Sequence, residues 1–266
     1  TFDGHRGDDF NAYAFFTPDF GATWKNVTAN LPAGGTVSVL REHPKSPDVL
    51  FVGTEMGLWT SFNRGGSWLK VKSGLPTIPV DDIFIHPNEN DLILATHGRS
   101  VWILDNIAAL SGMNEAVSSK PLHLFENKTG IQWRIAGVGA GNGHKPFNGP
   151  NPPDGTAIHY WLKDAGGEKD TVTITISNSQ GEKVRDITGT KAAGVNRVTW
   201  DLRHTPPPAP EGGAGFGGGG FGGGGPRGPL VPPGQYSVKV TAGANTSDAQ
   251  PITVEEDPRI QISEAD

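Results

Sequence analysis

Hydrophobic and polar positions alternate in short runs along the first 110 residues, which is the pattern of half-buried β-strands. Segments rich in Pro, Asn and Asp separate these runs and predict turns, for example at residues 43–48 and 86–91. The runs predict strands over residues 11–16, 24–27, 37–42, 49–53, 58–62, 68–71, 83–85, 92–96 and 101–104. Residues 107–119 lack this alternation and predict a short helix.

A second alternating pattern begins at residue 156. It predicts strands over residues 158–162, 172–177, 183–187, 196–202, 235–241 and 251–254, with shorter runs before it at 122–125 and 131–135. About six strands separated by turn signals suit an immunoglobulin-like or fibronectin-like β-sandwich. We expect Trp200 and Tyr236 to lie in the core of that sandwich.

Two segments rich in Gly and Pro interrupt these patterns. Residues 136–155 predict a linker or long loop. Residues 206–233 contain the run GGAGFGGGGFGGGG, which cannot bury enough apolar surface to offset its ordering entropy. We expect this insertion to be disordered and dispensable. The alternative is that Phe216 and Phe221 make it a tether for a partner protein.

A repeated turn motif organises the first part of the chain. Residues 17–24 read TPDFGATW and residues 61–68 read SFNRGGSW, so that the two copies are 44 positions apart. The matched positions are Asp19 and Asn63, Gly21 and Gly65, and Trp24 and Trp68. Asp and Asn accept backbone hydrogen bonds inside turns, and Gly allows positive φ. A period of this length is typical of four-stranded propeller blades, in which we expect both tryptophans to be buried.

This motif resembles the Asp box, or BNR repeat, of sialidases, sortilin-like proteins and related β-propellers. Three further stretches strengthen the resemblance to bacterial sortilin-like propeller proteins, which are often labelled glycosyl hydrolases: residues 4–9, 50–59 and 92–106. The resemblance covers residues 1 to 110 well. It implies a secreted, periplasmic or cell-surface protein, and it does not specify chemistry, because Asp boxes occur in enzymes and in binding proteins alike.

The predicted architecture is therefore all-β. It consists of the C-terminal blades of an Asp-box propeller (residues 1–110), a connecting helix and linker (111–155), and an immunoglobulin-like sandwich (156–258) with the insertion at 206–233. About two and a half blades are present, whereas closed propellers need at least about four. We expect the missing blades upstream of Thr1 in the native chain, with assembly of several copies as the alternative.

Composition narrows the functional classes. The 266 residues carry a formal net charge of −6 and contain no run of basic residues, which argues against nucleic acid as a partner. There is no cysteine, so that disulfides and Cys-based metal sites are excluded. No apolar run approaches the length of a membrane span. No phosphate loop or dinucleotide fingerprint is present, and we expect no cofactor.

Polar side chains occupy matched loops of successive blades. They are Arg6, Asp8 and Asp9 in the first loop, Glu55 in the second, and His97 and Arg99 in the third. Asp81 and Asp82 stand at the start of an inner strand. If the repeat places these loops on one face near the propeller axis, the six loop residues form one ligand-binding surface.

Binding of a polysaccharide or an extracellular polypeptide is the leading functional prediction. The alternative is a glycoside hydrolase, which needs two carboxylates, with Asp8, Asp9 and Glu55 as candidates and Asp81 as a further source. A sialidase would also need a third arginine and a tyrosine, which these loops lack. We expect no metal site, although His5, Asp8, Asp9 and His97 could supply ligands. In the remaining alternative Arg6 and Arg99 pair with the carboxylates and only hold the blades together.

Overall fold

The computed structural model describes residues 1–72, 74–134, 153–207 and 227–260. It divides into two compact units, Thr1–Ala116 and Val117–Asp266. Most of the predicted linker and of the predicted insertion, at residues 135–152 and 208–226, lies outside the described residues.

The first unit contains nine short strands. They are β1 (Phe15–Phe16), β2 (Lys25–Asn26), β3 (Val37–His43), β4 (Ser46–Thr54), β5 (Gly57–Ser61), β6 (Leu69–Lys70), β7 (Val80–Ile85), β8 (Leu92–Thr96) and β9 (Val101–Leu104). The central strands match the predicted runs closely. β1 is shorter than the predicted strand at 11–16, because the backbone and side chain of Asn11 and the hydroxyl of Tyr13 are bonded to the Asp9 carboxylate instead.

These strands form three antiparallel sheets in chain order. β1 pairs with β2, β3 to β6 form a four-stranded meander, and β7 to β9 form a three-stranded meander. Within the described residues, the third sheet has no strand that corresponds to β6. Each sheet therefore pairs only strands that are neighbours in sequence.

Both faces of β4 are buried, because this strand lies between two hydrophobic cores. Val49 and Phe51 belong to a core shared with β7 and β8, whereas Leu50 and Val52 belong to a second core that includes Trp68. Alternation along a strand sends successive side chains to opposite faces, so that a continuous apolar run fills two interfaces at once. The three sheets are therefore stacked through two hydrophobic layers.

Gly53, in β4, marks a close approach between two of these sheets. A Cβ atom at this position would lie 2.5 Å from the backbone oxygen of Val80 in β7 and 2.7 Å from a methyl group of Val39. Any larger residue would push the sheets apart, so this position requires glycine.

The two copies of the repeated turn motif have the same backbone form but different surroundings. Phe20 and Gly21 in the first turn, and Arg64 and Gly65 in the second, have positive φ. Trp68 is 1% exposed, as expected, but Trp24 is 57% exposed. The expectation that both tryptophans are buried is therefore wrong for Trp24, because no sheet precedes β1 within the described residues to cover its ring.

Two short helices follow β9 where one was predicted. They are α1 (Ala108–Ser111) and α2 (Glu115–Ser119). Ile107 is buried in the core shared by β4, β7 and β8, and the amide of Ile107 donates to the backbone oxygen of Asn90 at 2.8 Å. The chain segment after β9 is thereby fixed to the third sheet.

The second unit contains the remaining strands. They are β10 (Leu122–Leu124), β11 (Gly130–Gln132), β12 (Thr156–Leu162), β13 (Val172–Ser177), β14 (Lys183–Thr188), β15 (Gly194–Trp200), β16 (Gly234–Ala242), β17 (Asn245–Thr246) and β18 (Gln250–Glu256). β10, β12 and β15 form one sheet; β11, β18, β16, β13 and β14 form another, with β17 paired to β16. The two runs predicted before residue 156 therefore contribute strands to these sheets.

Both sheets bury one face in a single core. Ile158, Tyr160 and Trp200 come from the smaller sheet, and Ile174 and Val238 come from the larger one. The rings of Trp200 and Tyr236 meet edge to face with centroids 5.5 Å apart, which confirms the prediction that both are core residues. The described part of the chain is mostly β-strand, and each of its two compact units has its own buried hydrophobic residues.

Candidate functional site

The predicted N-terminal site residues lie in a closed loop. Gly4 and Asp9 form an isolated β-bridge, and residues His5–Gly7 between them form a 3-10 turn. Asp8 ends that turn with a left-handed backbone, at φ 60°. The loop exposes Arg6 and Asp8 to solvent and leaves Asp9 half-buried.

Asp9 is the best-connected side chain of this loop. Its carboxylate accepts a hydrogen bond from the Tyr13 hydroxyl at 2.7 Å and two from Asn11, at 3.1 Å from the backbone and 2.8 Å from the amide. The hydrogen bond from the Tyr13 hydroxyl, followed by that from the backbone N–H of Asn11, lowers the pKa of Asp9, and the Tyr13–Asp9 contact raises the pKa of Tyr13. An anion that is stabilised in this way is suited to accept hydrogen bonds and not to donate a proton.

Glu55 and His97 occupy equivalent positions in the second and third sheets. Glu55 begins the β4–β5 loop, and its amide donates to the Thr36 oxygen at 3.3 Å. His97 begins the β8–β9 loop, and its amide donates to the Pro79 oxygen at 3.1 Å. The backbones of Glu55 and His97 therefore have matching positions in their loops, as the repeat predicts.

The inner strands of the two sheets carry a matched irregularity. In β3, Val37 pairs with Thr54 and Val39 with Gly53, so that Ser38 is an extra residue. In β7, Val80 pairs with Thr96 and Asp82 with Ala95, so that Asp81 is the extra residue. A bulge of this kind turns the side chain of its extra residue out of the regular alternation and is frequent next to binding sites.

Both bulged residues line one open groove of about 420 Å³. The lining residues are Thr1, Phe15, Ser38, Val39, Leu40, Arg41, Asp81 and Asp82. Acidic and basic side chains and two hydroxyl groups, those of Thr1 and Ser38, therefore line the same space. We call these eight residues the bulge groove.

Charged contacts connect the groove to neighbouring loops. Arg41 in β3 donates from Nη2 to Asp82 Oδ1 at 2.7 Å and from Nε to the Ile83 oxygen at 2.9 Å, so that it joins two sheets. Asp81 Oδ2 lies 3.3 Å from Nδ1 of His97, whose side chain is 80% exposed. Because Asp81 lines the bulge groove, this contact places His97, one of the predicted residues, at the rim of the groove.

The other predicted residues are not joined by direct contacts. Arg6, Asp8, Asp9, Glu55 and Arg99 are all described, and no ion pair links either arginine to any of the three carboxylates. The purely structural alternative, in which those pairs hold the blades together, lacks the contacts that it needs. A shared surface of the six residues stays a prediction.

Ser38 and Arg41 are groove residues that the sequence analysis missed. Each lies in a strand whose alternation is regular in sequence, and a bulge leaves no mark in a pattern of hydrophobic and polar residues. A comparison of the two repeats could have suggested Ser38, because Ser38 aligns with Asp81 once Val37 is matched with Val80, but it gives no such signal for Arg41.

Two further findings bear on the kind of site that the described residues can form. No group of three or more His, Asp and Glu side chains is arranged there to hold a metal ion. No helix of that part of the chain is long and apolar enough to cross a membrane.

Comparison with solved structures shows a remote similarity to part of an extracellular domain. The extracellular domain of a one-component system from B. thetaiotaomicron aligns with a TM-score of 0.28 and 10% sequence identity. The alignment covers 91% of this chain and 28% of that one, so the chain spans less than a third of the neighbour's length. No protein-family model and no curated protein matches the chain. A similarity of this size establishes neither a family nor a ligand.

Proposed function

We propose that this chain is the ligand-binding part of a secreted Asp-box β-propeller that also carries an immunoglobulin-like sandwich. Meander sheets in chain order, two Asp-box turns and a two-sheet second unit support this assignment. We further propose that the first unit binds a polysaccharide or an extracellular polypeptide in the bulge groove.

The repeated bulge carries the proposal. Bulges interrupt the hydrogen-bond ladder, so two bulges at the same place in successive strands indicate a feature shared by the repeats and not a local defect. Here both extra residues are polar and line one groove. Asp81 and Asp82 can accept hydrogen bonds from hydroxyl or amide groups, whereas Arg41 and Ser38 can donate them.

The predicted loop residues fit this proposal as a rim. His97 contacts Asp81, and Glu55 has the equivalent backbone position beside the bulge that contains Ser38. Arg6, Asp8, Asp9 and Arg99 would extend the surface for a longer ligand. A polymeric ligand suits an open groove better than a small molecule does, because small ligands usually bind in enclosed pockets.

Binding to arrayed glycans and to extracellular polypeptides tests the proposal. We expect Asp81→Asn to weaken binding by about tenfold or more, since a hydrogen bond to a charged group contributes about 1.5–3 kcal/mol. Asp48→Asn is the matched control, because Asp48 is an exposed carboxylate paired with Arg64 at 3.2 Å outside the groove. Equal binding by the native chain and Asp81→Asn would rule out the groove as the site.

Glycoside hydrolysis is the second candidate, because two carboxylates, Asp81 and Asp82, line the same groove. The candidates Asp8, Asp9 and Glu55 would then act from the rim. Release of reducing sugar from a panel of polysaccharides by the intact chain tests this activity. Turnover that disappears in Asp81→Asn but persists in Asp48→Asn would favour the enzyme over the binding protein.

A further inference from the structure

The second unit contains a smaller cavity that none of the predicted site residues lines. Its volume is about 160 Å³, and it lies beside the parallel pair formed by β11 and β18. Gln132 and Glu256 are opposite each other in that pair, and Trp133 and Arg134 follow directly. Asp201, Leu202 and Arg203, which follow β15, form another part of the wall.

Trp133 is held in place although it is 49% exposed. The guanidinium of Arg259 lies over its ring, 4.9 Å from the centroid. Arg259 in turn donates from Nε and Nη2 to both oxygens of Asp257, a buried carboxylate that also accepts the Arg134 amide at 3.0 Å. This chain of contacts fixes one face of the indole and prepares the ring as a rigid platform.

The charged side chains of the cavity are balanced. Three arginines (Arg134, Arg203 and Arg227) and three carboxylates (Asp154, Asp201 and Glu256) line it. Asp201 is already paired with Arg185, and Arg203 donates to the Gly228 oxygen at 2.9 Å. The side chains of Arg134, Arg227, Asp154 and Glu256 have no hydrogen-bond or ion-pair partner among the described residues.

Size and polarity together select a class of ligand. A cavity of roughly 150 Å³ holds one six-membered ring, as an engineered cavity that binds benzene shows. An apolar ring would displace water from these exposed charged side chains without replacing its hydrogen bonds. A charged ring would meet two acidic and two basic side chains that have no partner among the described residues, so that attraction and repulsion offset each other. A neutral ring that carries several hydroxyl groups satisfies donors and acceptors of both kinds.

We infer that this cavity binds one pyranose unit of a neutral saccharide. The ring stacks on the face of Trp133 that Arg259 leaves open, and its hydroxyl groups bond to the arginines and carboxylates that have no partner among the described residues. Glu256 and Asp154 accept hydrogen bonds, and Arg134 and Arg227 donate them. The inference does not rest on the bulge groove, because all of the residues that carry it belong to the second unit.

Saturation-transfer NMR on the full chain tests the inference. The probes are the methyl glycosides of glucose, galactose, mannose and N-acetylglucosamine, with methyl glucuronide as the charged comparison. We expect at least one neutral glycoside to bind, and Trp133→Ala to weaken its binding by about tenfold or more. Trp133→Phe keeps a flat ring and is expected to retain most of the affinity.

Trp24→Ala is the matched control, since Trp24 is an exposed tryptophan of the first unit. Binding that is lost in Trp133→Ala and kept in Trp24→Ala supports the inference. The inference is overturned if Trp133→Ala binds as tightly as the native chain. It is also overturned if the native chain binds none of the neutral glycosides or binds the glucuronide alone. If Trp133→Ala fails to fold, Glu256→Gln decides, because it changes an exposed side chain and is expected to reduce affinity severalfold.

Discussion

The two repeated turns of the first unit share two hydrogen bonds from backbone amides to side chains but differ in what surrounds them. In the first, Asp19 Oδ1 accepts the Thr23 amide at 2.8 Å, and the Gly21 amide donates to Thr17 Oγ1 at 2.7 Å. In the second, Asn63 Oδ1 accepts the Ser67 amide at 2.9 Å, and the Gly65 amide donates to Ser61 Oγ at 2.9 Å.

The difference begins at the tryptophan. Trp68 Nε1 donates to the Val27 oxygen of the preceding sheet at 2.8 Å, and Asn30 bonds both the amide and the carbonyl of Trp68, at 2.7 and 2.9 Å. Trp24 Nε1 donates only within its own turn, to the Gly21 oxygen at 3.1 Å. The turn is therefore a local structure, whereas the stability that its tryptophan supplies depends on a neighbouring sheet.

The tryptophans should show the largest contrast. We expect Trp68→Ala to lower the free energy of unfolding by about 3–5 kcal/mol, because it removes a fully buried ring. Trp24→Ala, at an exposed position, should change it by only about 0.5 kcal/mol. Guanidinium denaturation of the two variants measures both values. Comparable losses would show that Trp24 is covered in solution and would break the comparison.

The glycines of the two turns offer a second, smaller contrast. Gly21 has φ 98° and Gly65 has φ 80°, so that alanine at either position costs about 1–2 kcal/mol of backbone strain. A Cβ atom at Gly65 would also lie 2.8 Å from Cβ of Val27, whereas one at Gly21 would lie 3.7 Å from the Trp24 ring. We expect Gly65→Ala to be more destabilising than Gly21→Ala by about 1–3 kcal/mol, as overpacking is.

Denaturation of the two alanine variants at one pH measures this difference. Equal losses of stability would mean that backbone strain dominates at both turns and that the second turn gains nothing from its contact with Val27.

The smallest contrast concerns pH, because the first turn contains a carboxylate and the second an amide. The Thr23 hydroxyl, followed by the Thr23 amide, lowers the pKa of Asp19 below its ordinary value of 3.8. A depressed pKa in the folded state adds stability above the ordinary pKa, and this contribution is lost as the pH falls through the folded value. The native chain should therefore lose free energy of unfolding as the pH falls from about 6 to about 3, and Asp19→Asn should make this loss smaller.

Thermal melts of the native chain and Asp19→Asn at both pH values measure this effect, and Asn63→Ala serves as a control whose cost should not vary with pH. An identical pH dependence in the native chain and in Asp19→Asn would contradict the assigned role of the carboxylate.

Local patterns in the sequence determined much of the fold. Alternation located the central strands β3 to β5 and β7 to β9, and Asp, Gly and Trp at fixed spacing marked both turns. These features depend on residues close together in the chain, where side-chain period and turn chemistry act directly. The Trp200 and Tyr236 core positions were predictable for the same reason, since each lies in an alternating strand.

Tertiary structure alone decided which surfaces are covered and which side chains meet. The sequence contains no sign that Trp24 is exposed while Trp68 is buried, because burial depends on the neighbouring sheet. Nor does it reveal the bulges at Ser38 and Asp81, which line one groove, since one extra residue in a strand changes the pairing and not the composition. The Trp133 cavity likewise joins segments far apart in the chain, and only packing places them together.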